Sequence, residues 1–312
     1  MVVTYSAEHS VGRLGLLAVM SVVVVFGCSP APEAVPPVTA SPVSAPPVSA
    51  PSVVSDTTTT TVADPNRQTP GLFHSPRVGD DFQIYVHLPD DYDTDTNTHY
   101  PVVFLLDGDW YFNGGNRMPG GVVGIVSSLV ETGDMPPAIL VGIGYSGANE
   151  RGRDFLVSPR NFQAFLVGDL IPTIDERYRT VPTDRTLMGH SDGGYSSVHT
   201  LLRFMDSDDP PFTKYVAISG RYNKGTLIWD AEERLSRRSE TGGVPTALYL
   251  GVGGMEEHGF ELSNRSLADV LTERDYEYLE FKMRIYGNSH HGNVIPRAFT
   301  DGLKWVFASP HE

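Results

Sequence analysis

An α/β fold, with a mostly parallel central sheet covered by helices on both faces, is predicted from three observations. Short continuous apolar runs end in Asp-Gly or Gly, helical periodicity returns between them, and the alternation persists from residue 82 to residue 307. In chain order, 82–88 alternates apolar and polar side chains, as a half-exposed strand does. Tyr100–Leu106 and 138–143 are apolar throughout and suit strands buried on both faces. Phe162, Phe165, Leu166, Leu170 and Ile174 place a helix over 161–178, which Pro172 interrupts because it lacks an amide donor. A strand at 186–189 and a helix at 194–204 follow. Strands at 214–219, 247–252 and 278–286 come next, with helices at 262–274 and 294–307 after the last two. In sheets of this kind ligands bind beyond the carboxyl ends of the strands, so the chemistry is expected in the turns that leave them.

The first 69 residues read differently. Arg13 precedes an apolar stretch, Leu14 to Met20 and then Val22 to Phe26, too short for a comfortable bilayer span. It ends at Val25-Phe26-Gly27-Cys28, which resembles the lipobox of bacterial lipoproteins, in which the cysteine is acylated and becomes the mature N-terminus. The alternative is an ordinary export signal with an incidental cysteine. Residues 29–69 are rich in Pro, Ser, Ala, Thr and Val, including two copies of Pro-Val-Ser-Ala, and are expected to form an extended stalk without a core. The expected organisation is therefore a lipoprotein signal peptide at 1–28, a disordered linker at 29–69 and one catalytic domain at 70–312. On this reading the protein is exported and held on the cell envelope by its lipid.

The chain carries a net charge of −15 and a single cysteine, Cys28. Its Lys and Arg residues are scattered, which disfavours nucleic acid or an anionic membrane surface as a partner. One cysteine permits no intramolecular disulfide.

The sharpest chemical signal follows the strand at 186–189. Gly189-His190-Ser191-Asp192-Gly193-Gly194 is a G-x-S-x-G turn between a strand and a helix. Such a turn is sharp enough to strain the serine backbone and to require glycine on both sides. It presents the serine hydroxyl above the sheet and aims the next amide, that of Asp192, at a reacting oxygen. Ser191 is the expected nucleophile. The Asp192 side chain is anomalous, since a carboxylate beside a developing oxyanion opposes its charge unless it turns outward or is paired. His190 is expected to be a buried, hydrogen-bonded histidine and not the base.

A serine hydroxyl needs a base, and the base an orienting carboxylate. His290 and His291 lie in the loop after the last strand, where a base belongs; His258 competes, but falls where the acid is expected. His199 sits in the helix after the nucleophile and cannot curl back, and His311 is in the tail. After the strand at 247–252, Glu256 is placed to orient the base, with Glu257 as the close alternative. The second oxyanion donor is expected in Asp107-Gly108-Asp109-Trp110, from the amide of Asp109. Trp110, Tyr111, Phe112, Tyr195, Tyr222 and Trp229 are candidates for a pocket or for the core. Asp91, Asp93, Asp95 and Asn97 alternate like a calcium loop, but Thr96 and Val102 stand where that loop needs Gly and Glu. No metal or phosphate motif is present, and the chemistry requires no cofactor.

These residues resemble the esterase D-like family of α/β-hydrolases, which includes siderophore esterases, S-formylglutathione hydrolases, feruloyl esterases and mycolyltransferases. The likeness runs from about Val78 to Phe307 through Tyr100 to Gly108, Arg153-Asp154, Leu170-Ile171-Pro172, Arg177-Tyr178, the Gly-His-Ser turn and 215–219. The segment from His291 to Arg297 is similar to the family's surroundings of its catalytic histidine, which implies His291 over His290. The Gly253-Gly254-Met255-Glu256 turn implies Glu256. The resemblance implies an α/β-hydrolase fold and cleavage of a small-molecule carboxylic ester by Ser191, His291 and Glu256. Hydrolysis of a siderophore ester, acyl transfer to a cell-wall acceptor and a non-catalytic anchored binding protein are the alternatives. Oligomeric state is not legible.

Overall fold

The computed structural model describes residues 71–115, 118–238 and 243–308. The segments expected to form a signal peptide and a stalk, and with them Cys28, lie outside the described residues. The chain opens with β1 (Gly71–Ser75) and β2 (Asp80–His87), then β3 (Tyr100–Leu106) and a single turn, α1 (Gly108–Tyr111). Two short pairing segments, β4 (Gly114–Gly115) and β5 (Met118–Pro119), precede α2 (Gly121–Glu131) and β6 (Ile139–Tyr145). A wide π-type turn (Gly152–Val157) leads into α3 (Pro159–Phe165), a second one (Leu166–Leu170) and α4 (Ile171–Arg177). The remainder alternates as β7 (Thr180–His190), α5 (Asp192–Phe204), β8 (Lys214–Ile218), α6 (Leu227–Ser236), β9 (Thr246–Gly253), α7 (His258–Arg274), β10 (Leu279–Tyr286) and α8 (Ile295–Ala308).

The main sheet has eight strands in the order β1-β2-β6-β3-β7-β8-β9-β10. The pairings β1–β2 and β2–β6 are antiparallel, and every other pairing is parallel. Parallel neighbours require crossovers, and the intervening helices supply them while covering both faces. The side-chain alternation of β3 shows the division. Val102, Phe104 and Leu106 enter one apolar layer with α3, α5, α6 and α7, whereas Val103 and Leu105 enter the other with α2 and α8. Both layers are closed, which is why β3 and β9 contain no exposed position.

Several expectations need adjustment. The helix over 161–178 is not broken at Pro172. The widened turn at Leu166–Leu170, where the Ile171 amide reaches back to the Leu166 carbonyl, lets Pro172 begin α4 in its first turn, where its missing donor costs nothing. The strand expected at 186–189 reaches back to Thr180, and the helices expected at 194–204 and 262–274 start earlier, at Asp192 and His258. β1, α2 and α6 have no counterpart among the expected elements. In α2, Gly and β-branched residues have poor helical propensity, and burial of Val122, Val126 and Leu129 against the layer shared with α8 overrides it.

Candidate active site

The site is built from the carboxyl ends of β3, β6, β7, β8, β9 and β10. β7 ends at His190, and the chain turns at Ser191 with φ 60° and ψ −121°, a conformation that L-residues rarely adopt. The close packing of the turn maintains it. A Cβ at Gly189 would lie 2.5 Å from the Gly193 carbonyl carbon, and one at Gly194 would lie 2.6 Å from the Ile218 oxygen. The Ser191 amide donates to that same Ile218 carbonyl at 2.8 Å, tying the turn to β8. Because α5 begins at once, the Asp192 amide belongs to its first turn and has no acceptor within the helix.

Glu256 and His291 meet across two loops. His291 Nδ1 donates to Glu256 Oε2 at 2.7 Å, and the Glu256 side chain is fully buried. Glu256 Oε1 accepts from Ser219 Oγ at 2.5 Å and from the Gly253 amide at 2.7 Å. The two loops are sewn together by the Gly254 amide on the Tyr286 carbonyl and the Met255 amide on the Ser289 carbonyl. The His291 ring lies 4.4 Å from that of His190 and 4.8 Å from that of Phe260. Glu257 instead projects into solvent beside Arg221, and His290 and His258 are exposed. His199 is buried against Gln163 within the core, far from any role as a base.

Ser191 and His291 open onto one cleft of about 480 Å³, walled also by Trp110, Tyr111, Met118, Arg151, His190 and Ile295. Of the aromatic candidates, Trp110 and Tyr111 line this cleft, and Tyr195 lines a smaller one of about 370 Å³ beside Asp192. Phe112 and Tyr222 are core, and Trp229 packs against the core with its indole N–H on the Tyr222 carbonyl. His190 is buried with Nδ1 hydrogen-bonded to the Tyr111 hydroxyl at 3.0 Å. Burial, reinforced by the charge of His291, pushes its pKa down to about 3, so it stays neutral.

Asp192 is paired. Its Oδ2 accepts from Arg151 Nη1 at 2.8 Å, and the same guanidinium grips the buried Asp107 through Nε and Nη2, each at 3.0 Å. Burial outweighs Arg151 at Asp107 and raises its pKa to about 6. The Asp109 carboxyl faces its own amide and Asn149, and burial, the largest influence, holds its pKa above the usual range. The Asp109 amide lies over Gly144, beside its own carboxyl.

Arg151 is the residue that sequence reasoning missed. The neighbouring Arg153, which carried the resemblance, pairs with Asp154 and Asp80 instead. A signal existed. Asp107, Asp109 and Asp192 all stand at strand ends that the fold brings together, and a carboxylate buried among two others, as Asp107 is, demands a cation from another such loop.

Comparison with known proteins agrees with this architecture. The model of the esterase family, described as "Putative esterase", matches residues 75–291. The curated esterase Rv1288 of Mycobacterium tuberculosis is 28% identical over 150 residues, which are 46% of this chain and 32% of that protein; the match thus spans about a third of the relative's length. Among solved structures, the BES protein from Bacillus cereus is 25% identical with a TM-score of 0.66, covering 78% of this chain and 96% of its own. An IroE-like serine hydrolase from Shewanella oneidensis shares the fold at 21% identity and a TM-score of 0.63, covering 77% of this chain and 80% of its own.

Proposed function

We propose, from the premise that this chain belongs to the esterase family, that it hydrolyses small-molecule carboxylic esters through an acyl-enzyme on Ser191. Ser191 Oγ attacks the ester carbonyl carbon as its proton passes to His291 Nε2. The carbonyl π electrons move onto oxygen, and collapse of that oxyanion expels the alcohol, which takes the proton from His291. Water repeats the sequence on the acyl-enzyme, releases the acid and restores Ser191. Glu256 holds the imidazole with Nδ1 protonated, leaving Nε2 free to accept. The amide of Asp192 stabilises the oxyanion, joined by that of Asp109 once substrate replaces its own carboxylate as partner.

The observation that carries this reading is the hydrogen bond of His291 to the buried Glu256 carboxylate, with His291 opening onto the cleft that contains the strained Ser191. The aromatic and aliphatic walls at Trp110, Tyr111, Met118 and Ile295 favour an apolar acyl group. Release of p-nitrophenol from the butyrate ester, with fluorophosphonate labelling that disappears in Ser191→Ala, tests it. Absence of both turnover and labelling in the wild-type chain removes the proposal.

The Arg13-to-Cys28 segment supports export and lipid anchoring at Cys28. Cys28→Ser is expected to move the protein from the membrane fraction to the soluble fraction; unchanged membrane retention argues against the anchor.

A further inference from the structure

An acidic residue directly after the nucleophile poses an electrostatic problem. Asp192 suits the first turn of α5, where a carboxylate complements the helix dipole, yet it adds negative charge beside the position where the oxyanion forms. Asp107, fully buried at the end of β3 with φ 55°, adds a second carboxylate, and the exposed Asp109 a third. One guanidinium answers this group. Arg151 reaches Asp107 with Nε and Nη2, Asp192 with Nη1, and the His190 carbonyl with Nη2 at 3.4 Å. The turn after β3 and the nucleophile turn after β7 are thereby fastened together by a residue from the loop after β6.

The anchor is itself preorganised. The Arg151 amide donates to Asn149 Oδ1 at 3.1 Å, and the guanidinium lies 5.1 Å from the Trp110 ring and 5.8 Å from that of Phe155. Downstream, Asp154 is buried beneath Arg153 and the Tyr145 hydroxyl, which holds the following turn against β6. The planar fork matters, because a lysine cannot serve Asp107 with two parallel donors and still reach Asp192.

We propose that Arg151 is a positioning residue for ester hydrolysis: by neutralising Asp192 and locking it to Asp107, it lets the amide of residue 192 face the oxyanion without an opposing charge. The inference rests on the reading of Ser191 as nucleophile. It makes Asp192 tolerable only because Arg151 is present, so the two are energetically coupled through the reaction and not merely through the fold.

The test is a cycle in the full chain comprising Arg151→Gln, Asp192→Asn and the double variant, read as kcat and KM on p-nitrophenyl butyrate with thermal unfolding in parallel. Arg151→Gln is expected to lower kcat by about 10²-fold with KM changed by less than about threefold. Adding Asp192→Asn to it is expected to restore kcat by about tenfold or more, because the charge that needed neutralising is gone. A purely structural role gives no such recovery. Arg151→Gln with kcat within threefold of wild type, or a double variant no faster than Arg151→Gln, overturns the proposal. Should Arg151→Gln fail to fold, Arg151→Lys keeps the charge and is read instead. A kcat loss of about tenfold at similar KM supports the inference, and an unchanged kcat overturns it. Ser191→Ala separates the two levels. If it retains activity, the nucleophile assignment fails, whereas an inactive Ser191→Ala beside a fully active Arg151→Gln sinks only the role of Arg151.

Discussion

Glu256 accepts the Nδ1 proton of His291 on one carboxylate oxygen while Ser219 and the Gly253 amide occupy the other. Three strand ends, those of β8, β9 and β10, thus converge on one buried carboxylate. Three of the carboxylate's four acceptor directions are used before any substrate arrives, and the Nδ1 bond holds the imidazole in a single tautomer and orientation.

Glu256→Gln removes the acceptor that selects this tautomer while keeping the shape. Its kcat on p-nitrophenyl butyrate is expected to fall by roughly 10²–10⁴-fold with little change in KM. Glu257, which is 78% exposed and paired only with Arg221, serves as the control: Glu257→Gln should stay within about twofold. Comparable losses in both variants would contradict the placement of Glu256.

Gly189 tests the turn that holds Ser191. An added methyl meets the Gly193 backbone at 2.5 Å, a clash with main chain that no side-chain rotation relieves, and a Cβ at Gly193 would in turn lie 3.0 Å from Asp107 Oδ2. Gly189→Ala is expected to cost at least about 2 kcal/mol of stability and nearly all activity. Urea denaturation and fluorophosphonate labelling read the two effects separately; a stable and active variant would refute the tight packing of the turn.

Acid changes the stability of this site in two opposed ways. Asp107 has its pKa raised by burial to about 6, against the partial opposition of Arg151, with Asp109 and Asp192 pushing upward; Tyr111 and Tyr145 also face it. Its folded form holds a proton more tightly than the unfolded chain, so lowering pH from above 6 toward 4 adds up to about 3 kcal/mol from this group. His190, held down to about 3 by burial, works in the other direction, because the unfolded chain takes the proton first as pH falls below about 6.5. Relative to Asp107→Asn, wild type should therefore gain urea resistance between pH 7 and 4. Relative to His190→Gln it should lose it. Parallel pH slopes for wild type and both variants would exclude these assignments.

The proposed seat of the acyl chain is tested by filling it. Ile295 stands at the start of α8 on the cleft wall. Ile295→Trp is expected to lower the ratio of kcat/KM for p-nitrophenyl octanoate over acetate by about tenfold, since only the longer chain needs the lost volume. An unchanged ratio would place the acyl chain elsewhere.

The strands that carry this site were legible because each is buried on both faces and reads as an uninterrupted apolar run, as Tyr100–Leu106 does. α2 was not, because Gly121, Val122, Val123 and Gly124 favour no helix locally, and only packing with α8 makes one. The π-type turns around Gly152–Val157 and Leu166–Leu170 leave no periodic trace either, since one extra residue shifts the helical phase without changing composition.

The class of fold and the sharp turn at Ser191 are legible in the chain alone. Both follow from local rules, the periodicity of buried side chains and the steric demand that glycines flank Ser191. The company these residues keep is a matter of long-range packing. Glu256 and not Glu257 reaches His291 because the loops after β9 and β10 are sewn together by backbone hydrogen bonds. Asp192 is quieted by Arg151, 41 positions earlier in the chain. A contact across that separation has no local signal. It exists because burying Asp107 beside Asp192 requires a cation, and the loop leaving β6 is where the folded sheet can supply one.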